Sequence, residues 1–147
     1  MFRLATLMAL LTTAALAFQP DAAKEAKEFE KLAGVWILDS IETKGEKVPD
    51  DVYRGCRLTI NKDGTFSIKL DSDEPKGHLK IDPTKSPMTL DIILESGRDA
   101  GKTQPAIYTH ETGTLTICTG EYNKDRPTGF ATKDKPGMTL MKFRKGK

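Results

Sequence analysis

The sequence has few of the residues that carry metal, redox or nucleophilic chemistry. Its 147 residues include two histidines and two cysteines. His78 and His110 stand far apart, and neither has a second His, Cys or carboxylate at a spacing typical of metal ligands. The chain contains no nucleophile motif, phosphate loop or Cys-x-x-Cys pair. We therefore expect no metal, no cofactor, no catalytic residues and no enzymatic activity.

The chain also lacks a large excess of either charge. Lysine and arginine number 23 against 21 aspartates and glutamates, which gives a formal net charge of +2. A nucleic-acid-binding domain or a strongly anionic partner usually demands a clear basic surplus. We therefore expect no nucleic-acid partner, and the sequence leaves any protein partner unknown.

Long hydrophobic runs are absent beyond the first 17 residues. Arg3, the apolar segment 4–16 and the small-x-small pattern at 15–17 are together typical of a secretory signal peptide. This segment is too short to remain in a bilayer as a spanning helix. We predict cleavage after Ala17, export to the periplasm or the extracellular space, and no stable membrane insertion afterwards.

Two cysteines in an exported chain raise the question of a disulfide. Cys56 falls on the same strand face as Leu58 and Ile60, which form an apolar set. Cys118 falls on the opposite face from the apolar Ile117. A disulfide needs Cα atoms within about 7 Å, so we predict two free thiols, with a bridge between Cys56 and Cys118 as the alternative.

The rest of the chain consists of eight short segments of alternating hydrophobicity, separated by turn residues. Asp63-Gly64 is a clear example, because such turns demand a positive φ angle. The alternation predicts strands at 36–42, 56–61, 65–70, 78–82, 88–95, 104–111, 114–119 and 138–144. An uninterrupted meander of this kind favours an all-β, eight-stranded antiparallel up-and-down barrel. A two-sheet sandwich is the alternative.

A short helical segment precedes the strands, at residues 18–33. Asp21 after Pro20 is typical of a helix start, and Gly34 of a helix end. Apolar residues at helical spacing, including Ala22, Ala26 and Phe29, predict one amphipathic face. A helix this short needs an apolar surface to rest on. We expect it to cover an open end of the barrel formed by residues 34–147.

Five segments of the chain carry a resemblance to a known family. Gly34-Val35-Trp36 at the head of the first strand resembles the G-x-W signature of lipocalins. More broadly, the chain resembles an uncharacterised lipocalin-like family of small exported proteins found in planctomycete bacteria. The segments are LAGVW at 32–36, KSPMTLD at 85–91, AIY at 106–108, LTIC at 115–118 and DRP at 125–127. The resemblance implies a lipocalin-like (calycin) barrel but no activity.

The lipocalin likeness also implies a structural pair at the barrel floor. In lipocalins the tryptophan of the signature closes the floor, and an arginine at the end of the last strand packs across it. The matching residues here are Trp36 and Arg144. The physical basis would be a cation–π contact.

The barrel interior is the candidate ligand site. An eight-stranded barrel has room for side chains or for one small ligand. The predicted lumen residues are Trp36, Leu58, Ile60, Phe66, Ile68, Leu90, Ile92, Tyr108 and Arg126. Of these, Arg126 in the long loop would meet a carboxylate or phosphate, or would instead anchor its own loop. Tyr108 would supply a hydroxyl, or would be an ordinary core aromatic.

These observations favour a non-enzymatic carrier over other functional classes. We expect an exported barrel that binds a small apolar or amphipathic molecule in its lumen. The alternative is a protein-interaction module of the cell envelope, with its barrel filled by its own side chains. A large dry cavity would favour the carrier, and a solidly packed lumen would favour the module.

Overall fold

The computed structural model describes residues 20–147. The predicted signal peptide and its cleavage point after Ala17 lie outside this range. Within residues 20–147, one α-helix precedes a meander of nine strands, with a 3-10 turn at Asp50–Val52. The bounds are α1 Pro20–Leu32, β1 Gly34–Thr43, β2 Glu46–Lys47, β3 Arg57–Ile60, β4 Thr65–Lys69, β5 Lys76–Asp82, β6 Met88–Leu94, β7 Thr103–Glu111, β8 Thr114–Thr119 and β9 Thr139–Lys145.

The strands close into an antiparallel barrel. β1, β3, β4 and so on to β9 pair in chain order, and β9 pairs back onto β1. This closing register runs from Trp36 opposite Lys145 to Thr43 opposite Thr139, with an irregularity between Leu38 and Ser40. β2 has two residues and pairs only with the end of β1, so eight strands form the wall. The predicted eight-stranded barrel is thereby confirmed.

Alternating side chains fill the interior, and at one point the wall is unusually tight. Leu58, Ile60 and Phe66 point inward and are buried. Arg57, which precedes Leu58 on β3, points outward and is exposed. On β5, Gly77 lies against the backbone of β6. A Cβ atom at this position would sit 1.9 Å from the carbonyl oxygen of Ile93. Glycine is required there because β5 and β6 approach too closely for a side chain.

Helix α1 lies across one end of the barrel, which we call the closed end. Its buried residues are Glu28, Phe29 and Leu32, and Phe29 packs against the β3–β4 turn at Gly64. The predicted apolar face of the helix is wrong in part, because Ala22 and Ala26 are exposed. The face that packs on the barrel includes the Glu28 carboxylate instead. In residues 20–147 no helix has the length and apolar character needed to cross a bilayer.

The predicted contact between Trp36 and Arg144 is wrong. The cation above the Trp36 ring belongs to Lys145, whose Nζ lies 4.3 Å from the ring centroid. Side chains alternate along β9, so the inward Phe143 places Arg144 outside and Lys145 below the barrel. Arg144 instead faces Asp39, with 3.7 Å between Nε and Oδ1. Trp36 itself is buried and donates from Nε1 to the carbonyl of Leu32 at 2.7 Å.

The long loop 120–138 covers part of the outer wall. Thr132 in this loop is fully buried, donates its hydroxyl to Glu42 on β1 and accepts from the Gly45 amide. Glu42 and Cys118 belong to one outward-facing row across β1, β9 and β8. Cys118 is buried beneath this loop, whereas Cys56 faces the interior, and both thiols are free.

Candidate ligand site at the barrel mouth

The interior holds a small apolar cavity. Its volume is about 70 Å³. Its lining comprises Leu32, Leu38, Cys56, Leu58, Ile60, Phe66, Ile68, Leu79, Leu90, Ile92, Tyr108, Leu115, Ile117, Met141 and Phe143. A water molecule occupies about 30 Å³ in the liquid, and drug-sized ligands need several hundred. The cavity alone is therefore too small for such a ligand, and side chains fill most of the lumen.

Seven of the nine predicted lumen residues line this cavity. They are Leu58, Ile60, Phe66, Ile68, Leu90, Ile92 and Tyr108. Trp36 does not line it, because its ring lies lower and plugs the closed end beside Leu32. The residues that sequence reasoning left out lie mostly on β1, β8 and β9. Their strand alternation carried the same signal, so Leu115, Ile117 and Phe143 could have been included.

The prediction that Arg126 lines the lumen is wrong. Its guanidinium lies against the outer wall, where Nη1 donates to the carbonyls of Leu90 and Ala106 at 2.9 and 2.8 Å. Nη2 donates to Asp91 Oδ1 at 2.6 Å. These contacts correspond to the alternative in which Arg126 anchors its own loop. Three of its five N–H donors bind the outer wall, so the guanidinium is directed away from the lumen and is not placed to bind a ligand there.

A larger recess opens above the cavity, at the end of the barrel opposite α1. This recess, which we call the vestibule, has a volume of about 550 Å³. It meets the lower cavity at three shared apolar residues, Ile68, Ile92 and Met141. Its rim comprises Asp73, Glu74, Pro75, Leu94, Ser96, Gly97, Arg98, Asp99, Gln104 and Tyr122. The two spaces adjoin at these three apolar side chains, with the polar rim on the outer side of the vestibule.

The charges on the rim are only partly compensated. Lys102 donates to Asp99 at 2.7 Å and lies 5.3 Å from the centroid of the Tyr122 ring. The Lys102 hydrogen bond holds the pKa of Asp99 below its ordinary value. Burial, followed by the nearby Asp99 charge, raises the pKa of Tyr122.

Two further carboxylates, Asp73 and Glu74, and one further cation, Arg98, line the same rim. Within residues 20–147, none of these three side chains forms an ion pair. With the Asp99–Lys102 pair neutral as a unit, the rim therefore carries about one excess negative charge at neutral pH.

The closed end contains a buried polar cluster that sequence reasoning missed. Glu28 on α1 accepts from the Tyr108 hydroxyl at 3.1 Å and from His110 Nε2 at 2.6 Å. Lys31 Nζ lies 3.4 Å from the other carboxylate oxygen. Burial, with the Glu28 charge second, raises the pKa of Tyr108, so its hydroxyl stays protonated and donates. No linear pattern links residues 28, 108 and 110, because the helix and β7 meet only in the fold.

This cluster joins the helix to the barrel and is not arranged as a metal site. Within residues 20–147 no three His, Cys, Asp or Glu side chains converge as ligands. His78, the other histidine, pairs with Glu95 at 2.6 Å on the exposed outer wall. Neither histidine is placed next to a serine or cysteine nucleophile in the hydrogen bonds of this part of the chain.

Comparisons with known proteins give a fold likeness. No family model matches the chain, and no curated protein matches it. Among solved structures it is similar to a DUF4847 family protein from Bacteroides vulgatus, with a TM-score of 0.51 and 16% sequence identity. The match covers 78% of this chain and 94% of that chain. At this identity the likeness supports the barrel fold alone.

Proposed function

We propose that this protein is a non-enzymatic, exported barrel that binds one small amphipathic molecule at its mouth. The apolar part of the ligand occupies the vestibule and reaches toward the lower cavity. Its polar end stays at the rim, in contact with solvent. The observation that carries this proposal is a 550 Å³ recess that shares three lining residues, Ile68, Ile92 and Met141, with the apolar cavity below it.

The apolar base of the vestibule supplies affinity. Each 100 Å² of apolar ligand surface removed from water contributes about 2.5 kcal/mol, before the cost of association is subtracted. Ile68 and Met141 are only half-buried in the free protein. A chain of a few methylene groups resting on them would complete their burial, which favours an alkyl or small-ring body.

The charge of the vestibule rim determines which polar group of a ligand binds best. The unpaired Asp73 and Glu74 attract a cationic group and repel an anionic one, with Arg98 as partial compensation. Exposed charge pairs contribute about 0.2–1 kcal/mol each. The preferred ligand is therefore a neutral or cationic amphiphile, and a fatty acid or alkyl sulfate should bind less well.

The apolar half of this proposal is tested by displacement of a neutral fluorescent probe, N-phenylnaphthylamine. Dodecyltrimethylammonium, below its micellar concentration, should displace the probe. Met141→Asn should weaken binding about tenfold, which corresponds to about 1.4 kcal/mol. Met138→Asn is the matched control, because Met138 is half-buried before β9 but lies outside the vestibule lining. Equal affinities in the two variants would contradict the proposed site.

The charge preference of the rim is tested with a double variant and a control variant. Asp73→Asn with Glu74→Gln should weaken binding of dodecyltrimethylammonium about two- to thirtyfold and strengthen binding of dodecyl sulfate. Asp71→Asn removes a neighbouring exposed carboxylate that does not line the vestibule and should leave both affinities unchanged. If the double variant changes neither ligand, the rim does not select charge.

A further inference from the structure

A second surface stands out on the outer wall, away from the mouth. The outward faces of β4, β3 and β9 present four exposed basic side chains, which we call the basic strip. These are Lys69, Arg57, Arg144 and Lys142. The order of neighbouring strands there is β4, β3, β1 and β9. The strip is not apparent in the sequence, because the net charge is small and its members are scattered over 88 positions.

Three of the four side chains, Lys69, Arg57 and Arg144, form one continuous row across the wall, and Lys142 lies two residues from Arg144 on β9. Lys69 pairs in register with Arg57, Arg57 with Ile37, and Ile37 with Arg144. A shallow groove of about 250 Å³ runs beside it, lined by Val35, Ile37, Arg57, Arg144, Gly146 and Lys147. The row therefore combines cations with a half-buried apolar centre.

The row is electrostatically unfavourable as it stands. Like charges directly opposite on neighbouring strands destabilise a sheet, as Arg57 and Lys69 do here. Within residues 20–147, Arg144 makes the strip's one ion pair, a long contact with Asp39 between two well-exposed side chains. Lysines often protect open sheet edges from pairing, but these strands are interior to a closed wall. Neither pairing nor edge protection explains the row.

The spacing of the row fits an extended chain that crosses the strands. With strands about 4.8 Å apart, Ile37 lies about 7 Å and Arg144 about 12 Å from the midpoint between Lys69 and Arg57. Along an extended peptide, side chains on one face recur at about 6.7 Å, so positions i, i+2 and i+4 fall near 0, 7 and 13 Å. The charges then require an acidic, an apolar and an acidic residue in that order.

We propose that the basic strip binds an extended acidic segment of a partner protein, with the pattern acidic-x-apolar-x-acidic. The first carboxylate lies between Lys69 and Arg57, the apolar residue rests on Ile37, and the second carboxylate meets Arg144. A free phosphate would leave the apolar centre unused. A flat bilayer would reach few of these cations at once, because the wall of a small barrel curves away. This site is independent of the mouth.

The test is fluorescence anisotropy with a labelled peptide, Gly-Ser-Glu-Ser-Val-Ser-Glu-Ser-Gly. Its control has the same composition with the valine moved outside the acids, Gly-Val-Glu-Ser-Ser-Ser-Glu-Ser-Gly. We expect the first peptide to bind at least threefold more tightly, and added salt to weaken both. Arg57→Gln and Lys69→Gln should each weaken binding about three- to tenfold, while Lys27→Gln on the exposed face of α1 changes it less than twofold.

Ile37→Thr keeps a strand-forming residue and removes the apolar contact. It should abolish the difference between the two peptides without abolishing binding of either. The proposal is overturned if the peptides bind equally to the unmodified protein, or if the basic-strip variants match Lys27→Gln. It is also overturned if neither peptide binds while vesicles containing one third phosphatidylglycerol do, since the partner would then be a lipid surface.

Discussion

Glu28 Oε1 accepts a hydrogen bond from His110 Nε2 at 2.6 Å, and this contact fastens the N-terminal helix to the floor of the barrel. The same oxygen accepts from Tyr108. Glu28 is 4% exposed, so removal of its carboxylate would leave the buried Tyr108 hydroxyl and the half-buried His110 ring without this acceptor. Buried polar groups that lose their partners are costly.

Glu28→Ala should therefore destabilise the protein by about 2–4 kcal/mol. Glu28→Gln should cost less, because its amide oxygen can still accept from both donors. The measurement is the free energy of unfolding in urea. Glu30→Ala, an exposed glutamate on the same helix, provides the control and should change stability by less than about 0.5 kcal/mol. Similar values for Glu28→Ala and Glu30→Ala would show that the cluster does not hold the helix.

Gly77→Ala tests the tight contact between β5 and β6. The added methyl group would meet the Ile93 carbonyl, and the strands must separate to admit it. We expect a loss of about 1–3 kcal/mol, as for other overpacked sites. Gly129→Ala is the matched control, because no heavy atom lies within 4 Å of the added carbon. Thermal or urea unfolding of both variants decides the comparison, and equal stabilities would contradict the close approach.

Arg126→Ala tests the anchoring of the outer loop. The variant loses hydrogen bonds to Leu90, Ala106 and Asp91, which should cost about 1–3 kcal/mol. Burial raises the pKa of the Cys118 thiol, with the Glu42 charge as a second cause. Both effects keep Cys118 unreactive while the loop is closed.

Maleimide labelling gives a local readout of that loop. Cys118 should react faster in Arg126→Ala, while Cys56 inside the barrel should change less. Lys124→Ala removes only an exposed pair with Glu121 and should leave both rates near those of the unmodified protein. Equal acceleration of both thiols would indicate global unfolding instead of loop release.

Two turn aspartates should contribute to the pH dependence of stability. The Thr65 hydroxyl and amide lower the pKa of Asp63, and those of Thr84 lower the pKa of Asp82. A carboxyl whose folded-state pKa is depressed stabilises fully above its unfolded pKa, about 4, and loses that contribution as the pH falls through the folded value. Stability should therefore decline below about pH 4.

Asp63→Asn with Asp82→Asn should flatten that decline and lower stability at neutral pH. Asp51→Asn, at an exposed aspartate that accepts no side-chain hydrogen bond within residues 20–147, provides the control. Urea unfolding at several pH values between 2 and 7 measures both effects. A double variant with an unchanged acid slope would contradict the role of these turns.

Strand alternation predicted the fold well because its signal is local. A turn such as Asp63-Gly64 and a buried strand residue such as Leu58 or Phe66 can each be identified from a few neighbours along the chain. Closure of the barrel follows from the meander, because β1 and β9 are the two edge strands and pairing them leaves no edge open. The lumen residues on β3, β4 and β6 followed from the same period-two pattern.

The wrong predictions share one physical origin, because each concerned a side chain whose position depends on contacts between distant parts of the chain. The loop position of Arg126 predicts a place in the lumen, but the loop folds back over the outer wall. Successive side chains on β9 point to opposite sides of the wall, so Lys145 contacts Trp36 and its neighbour Arg144 does not. Glu28 resembled an ordinary solvated helix residue, because its partners lie 80 residues or more away. The vestibule is built from loops whose conformations no periodic pattern encodes.

The most direct test of the ligand-binding account is a methyl-labelled NMR titration with dodecyltrimethylammonium. The account predicts saturable shifts of the Ile68, Ile92 and Met141 methyl groups, with little change at Leu115 near the floor or at Val35 on the outer wall. Absence of any shift at those three mouth residues, or shifts confined to the outer wall, would contradict it.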